Sequence, residues 1–65
     1  MTISYRPLWV MLAERDMRSV ELQRATGLSN ATMSKLRRNG EVNVSVLIRI
    51  AEVLQCGIGE IAELR

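Results

Sequence analysis

The chain has 65 residues, enough for one domain over 1–65 and no second one. Apolar residues make up 48% and the only aromatics are Tyr5 and Trp9, a balance that excludes a disordered or low-complexity chain. Nine Lys and Arg against seven Asp and Glu give +2, and the lack of any histidine, with Cys56 as the single cysteine, excludes an internal disulfide and argues against a zinc site.

The longest apolar run, Leu8–Ala13, is too short to span a bilayer. The N-terminus lacks the basic-then-apolar layout of a signal peptide. There is no histidine base, no Gly-rich phosphate loop and no clustered carboxylate pair. The expectation is a soluble cytoplasmic module that is not an enzyme and needs no cofactor and no metal. A domain this small buries only about 60% of its unfolded surface, so oligomerisation would help its stability.

Pro7 and the glycines at 27, 40, 57 and 59 divide the chain into short segments. The first, Arg6–Arg15, has Pro7 in a first helical turn, where its missing N–H loses no partner. Tyr5, Leu8, Trp9, Leu12 and Ala13 give it one apolar face. The second, Ser19–Thr26, turns Leu22, Ala25 and the following Leu28 inward, and Gly27 suits a left-handed helix end. The third, Asn30–Arg38, is capped by Ser29 and carries a narrow apolar edge, Met33 and Leu36. Its other positions are polar, small or basic, and Asn39–Gly40 closes it. The fourth, Val44–Gln55, has Asn43 as its cap and Leu47, Ile50, Ala51 and Leu54 as its inward stripe. Alternation of Val42, Val44 and Val46 hints at a strand but runs directly into this helical pattern. A fifth segment, Ile58–Leu64, spaces Ile58, Ile61 and Leu64 three apart. The reading is all-α, with five short helices.

Charge is unevenly placed. Residues 1–40 hold seven bases (Arg6, Arg15, Arg18, Arg24, Lys35, Arg37, Arg38) against three acids, a net +4, whereas residues 41–65 carry −2. A basic half beside an acidic half suits a polyanion on one side only. Segments two and three, joined by a Gly-containing turn, form a helix-turn-helix unit, whose second helix enters the major groove while the first crosses the backbone.

The stretch Val20-Glu-Leu-Gln-Arg-Ala-Thr-Gly-Leu-Ser-Asn-Ala-Thr-Met-Ser-Lys-Leu36 resembles the Cro/repressor-type (Xre) helix-turn-helix family of small bacterial and phage transcriptional regulators. Arg37-Arg-Asn-Gly40 and Leu47-Ile-Arg-Ile-Ala-Glu-Val-Leu54 resemble that family's closing loop and fourth helix, so the likeness covers roughly residues 5–64. It implies a lambda-repressor-like domain that binds double-stranded DNA. It also implies base contacts from Asn30, Ala31, Ser34 and Lys35: Asn pairs bidentately with adenine, Lys donates to guanine, and the Ala methyl meets a thymine methyl. Phosphate contacts are implied for Ser19, Ser29, Thr32, Arg37, Arg38 and Asn39, which set register and salt-dependent affinity. Two positions depart from the family pattern: Gln23 stands where a small residue is usual, and Thr26 where an apolar one is.

Apolar residues exceed what one small core needs. Ile48, Ile58, Ile61 and Leu64 are expected to form a homodimer interface, and family members commonly bind as dimers to half-sites about 34–36 Å apart. Met1–Ser4 would be either a flexible arm or a partner contact. Repression by promoter occupancy is the simplest mechanism for a chain with no visible sensing domain. The competing reading is a protein-interaction module, antitoxin-like or a regulatory subunit, that engages a protein partner through the apolar surface of helices four and five. Trp9 is expected to anchor the core half-buried, and Cys56 to be a small buried apolar residue rather than a redox switch.

Overall fold

The computed structural model describes residues 2–65. Its elements in chain order are β1 (Ile3–Ser4), α1 (Arg6–Glu14), α2 (Ser19–Thr26), α3 (Asn30–Arg37), α4 (Val44–Leu54), a 3-10 turn (Ile58–Glu60) and β2 (Glu63–Leu64). Four α-helices surround one core, and the four helical segments read from the sequence agree to within a residue at each end.

The core is the set of inward faces. Leu8 and Leu12 come from α1, Leu22 from α2, Met33 and Leu36 from α3, and Leu47, Ile50, Ala51 and Leu54 from α4. Tyr5, Leu28 and Ile61 complete it from outside the α-helices. Trp9 and Cys56 are half-buried and pack against this cluster.

The expected fifth helix is not there. The chain makes a single 3-10 turn, Ile58–Glu60, started by Glu60 Oε2 accepting from the Gly57 N–H at 3.0 Å. It then extends, because β2 pairs antiparallel with β1 in the register Ile3↔Leu64 and Ser4↔Glu63. Reciprocal bonds lock the ends: the Thr2 N–H donates to Arg65 O at 2.7 Å and the Arg65 N–H to Thr2 O at 2.8 Å. A terminal helix would leave the Thr2–Ser4 backbone without these partners, and backbone polar groups seek partners. Ile3–Ser4 are therefore not a loose arm but one strand of this chain's own sheet, with Thr2 bonded beside it; Met1 lies outside the described residues. The valine alternation yields no strand either, since Val44 and Val46 belong to α4.

Two further expectations are corrected. Ala25 is exposed, as is Ala13, and the inward residues of α2 are Leu22 and Thr26. Thr26 is tolerated in the core because its hydroxyl donates to Leu22 O at 2.7 Å, leaving no polar atom to hydrate. Ile61 is fully buried in the core, so it is not available to a partner, whereas Ile48, Ile58 and Leu64 stand exposed.

Candidate nucleic-acid interface

The α2–turn–α3 unit is built from local rules. Ahead of α2, Glu21 Oε1 accepts from the Arg18 N–H at 3.0 Å, one half of a capping box. Gly27 ends α2 in the left-handed region at φ 71°, its N–H bonding to Gln23 O at 2.8 Å. From α4, the Arg49 guanidinium donates to Thr26 O at 3.3 Å and satisfies another carbonyl at that helix end. The Ser29 hydroxyl then caps α3 by accepting from the Thr32 N–H at 3.2 Å.

α3 closes on two overlapping bonds, Gly40 N–H to Lys35 O at 2.7 Å and Asn39 N–H to Leu36 O at 3.4 Å. This is a Schellman arrangement with Asn39, at φ 58°, in the left-handed position that glycine more often fills. Gly40 lies close to the end of α3: a Cβ there would sit 3.3 Å from Lys35 O, so a larger residue would push that carbonyl back by a few tenths of an ångström. The loop is also tied to the start of α1. Asn39 Oδ1 accepts from the Tyr5 N–H at 3.0 Å, and the Tyr5 hydroxyl donates to Gly40 O at 2.7 Å. Burial, helped by the Glu41 carboxylate and opposed by a backbone hydrogen bond at Val42, raises the Tyr5 pKa.

Turning Met33 and Leu36 inward leaves Asn30, Ala31, Ser34 and Lys35 exposed. These occupy adjacent rows at i, i+1, i+4 and i+5, so they form one outward surface. Among the described residues the one ion pair is Arg65–Glu63, and Arg18, Arg24, Lys35, Arg37 and Arg38 make none. Such a surface has polar side chains to meet base edges and fixed positive charge to meet phosphates.

A family model described as the Cro/C1-type HTH DNA-binding domain matches residues 7–65. The chain belongs to the Cro/C1-type helix-turn-helix DNA-binding family. It is also similar to the crystal structure of the transcriptional regulator VanUg, at 44% identity and a TM-score of 0.93, over 95% of this chain and 83% of that one. None of the curated proteins compared with the chain matches it. Among the described residues no helix is long and apolar enough to cross a membrane.

The six residues expected at phosphates fall into three groups. Ser19 and Arg37 come together, the guanidinium donating to the Ser19 hydroxyl at 3.3 Å across the two ends of the unit. Ser29 and Thr32 come together with hydroxyls 3.0 Å apart at the start of α3. Arg38 is exposed, while the Asn39 side-chain oxygen is already engaged by Tyr5. Sequence reasoning missed three positioning residues. Gln23 stands in the sequence as a departure from the usual small residue, yet its Nε2 reaches both Leu28 O (3.1 Å) and Asn30 Oδ1 (2.8 Å). Tyr5 reads from the sequence as part of an apolar face, although a buried phenol needs a partner and so points to a tether. Arg49, the one base on α4, is the signal for its bond to α2.

Proposed function

We propose that the protein is a sequence-specific transcriptional regulator that binds duplex DNA with α3 in the major groove and represses by occupying a promoter. The outward surface of α3, flanked by bases that form no ion pair among the described residues, carries this reading. Asn30, Ala31, Ser34 and Lys35 meet base edges, and Ser19, Ser29, Thr32, Arg37 and Arg38 grip phosphates. Asn39 contributes through its backbone and its free amide nitrogen. The protein acts in the cytoplasm as a homodimer. The exposed Ile48 and Ile58, lining a shallow hollow with Ala51 and Cys56, form the contact, together with Leu64. A two-fold axis there would present two copies of α3 to half-sites about one helical turn apart.

Selection of bound duplexes from a random-sequence pool at near-physiological salt tests this. Enrichment of a two-fold symmetric site is the expected result. An unsymmetric half-site would keep the DNA reader and remove the dimer. No enrichment by folded protein would contradict the reading and favour a protein partner on the Ile48–Ile58 surface.

A further inference from the structure

Gln23 does more than fill space between α2 and α3. Its side-chain nitrogen lies 3.1 Å from the Leu28 carbonyl and 2.8 Å from the Asn30 side-chain oxygen. A backbone carbonyl only accepts, so the Gln23 atom facing it is the NH2 group. The Asn30 atom facing that same NH2 must in turn accept, and is therefore Oδ1. One backbone oxygen thus fixes, through Gln23, which way round the exposed Asn30 amide stands. The opposite corner of that planar amide, Nδ2H2, is left for an incoming group.

We infer that Gln23 is a specificity-determining positioning residue, which holds Asn30 as a hydrogen-bond donor toward the groove. This inference rests on α3 reading base edges. Bidentate pairing of Asn with adenine uses its oxygen to accept from N6 and its nitrogen to donate to N7. Holding the oxygen against Gln23 fills one of its two lone pairs and turns that corner toward α2, which disfavours the first of these. Asn30 then favours a base whose major-groove edge offers acceptors and no donor, guanine with O6 and N7 ahead of thymine with O4 alone, over adenine.

The test is duplex selection with four proteins, each checked by thermal melting: wild type, Asn30→Ala, Gln23→Met and Gln23→Glu. Asn30→Ala identifies the base position that Asn30 reads. Gln23→Met keeps length and helix propensity but cannot donate. It is expected to reduce guanine discrimination about tenfold at that one position and leave the rest of the site unchanged. Gln23→Glu presents only acceptors, so Asn30 turns its NH2 inward and its oxygen outward. The preference at the same position then moves to a base that donates there, cytosine or adenine. Wild-type discrimination retained in both Gln23 variants would overturn the inference, as would an adenine preference in the wild type or an Asn30→Ala site identical to the wild-type one. If the folded wild type enriches no site, the DNA-reading proposal fails and takes this inference with it. An enriched site that ignores Gln23 sinks the inference alone.

Discussion

α3 and α4 are held by different means. α4 has eleven residues, buries four of them, and has no side-chain hydrogen bond at its N-cap; packing fixes it. α3 has eight residues and buries only Met33 and Leu36, because most of its surface faces outward. What α3 lacks in packing it receives at its ends. Ser29 and Gln23 hold its start, while Asn39, Tyr5 and the Arg37–Ser19 bond hold its finish. A helix left free to meet a ligand has little apolar area with which to fix its own angle. Directional hydrogen bonds set that angle without covering the surface. Damage to α4 should therefore appear as lost stability, and damage to α3 as lost binding.

The largest effect belongs to the packed helix. Ile50→Ala leaves a cavity at a fully buried site and should destabilise by about 2–5 kcal/mol, a large part of what a domain this small has. Chemical denaturation reads it directly; a loss below about 1 kcal/mol would mean that packing does not fix α4. Lys35→Ala should do the reverse. Melting stays within a degree or two of wild type because the side chain is exposed, while affinity for the selected site falls by about 1–3 kcal/mol and one base position relaxes.

The tether at the end of α3 sharpens the contrast. Tyr5→Phe leaves Gly40 O without its donor and should cost about 1 kcal/mol, a fall in Tm of roughly 4–8 °C for a domain of this size. It also removes a pH dependence. Because the folded-state pKa of Tyr5 is raised, the folded protein holds that proton more tightly than the unfolded chain does. This contribution is intact below the ordinary phenol value of about 10 and declines as pH rises above it. The Phe variant should show a shallower alkaline loss of stability than wild type; equal slopes would remove Tyr5 from the account.

Arg38→Ala should weaken binding to all sequences alike and reduce the logarithmic salt slope by about one, measured by titration at several salt concentrations. An unchanged slope would remove Arg38 from the phosphate contacts. The smallest effect is a gain. Gln55 ends α4 in the left-handed region at φ 55°, where a side chain is strained, so Gln55→Gly should raise stability by about 0.5 kcal/mol in the same denaturation series.

The same contrast explains what the sequence revealed. Apolar periodicity is a local signal, so it located all four helices and, in α4, every buried position. Local chemistry likewise located the Ser29 cap and the left-handed Gly27. The terminal sheet has no such signal: two-residue strands about sixty residues apart carry no period, and Ile58, Ile61 and Leu64 imitate a helix while only Ile61 enters the core. Thr26 takes the inward place that the sequence pattern gives to Ala25, because a threonine that bonds its own helix behaves as an apolar residue. The outward residues of α3 were legible as the complement of Met33 and Leu36. The residues that orient them, Gln23 and Tyr5, were not, since each acts through a hydrogen bond that the turn or the fold must first create.

The most direct test of the central claim is an amide NMR titration of the protein with a duplex carrying its selected site. The largest shifts are expected at Ser19 and across Ser29–Asn39, with the Asn30 side-chain NH2 among them, while the β1–β2 pair stays unmoved. Saturation of binding with the α3 resonances unshifted would contradict it.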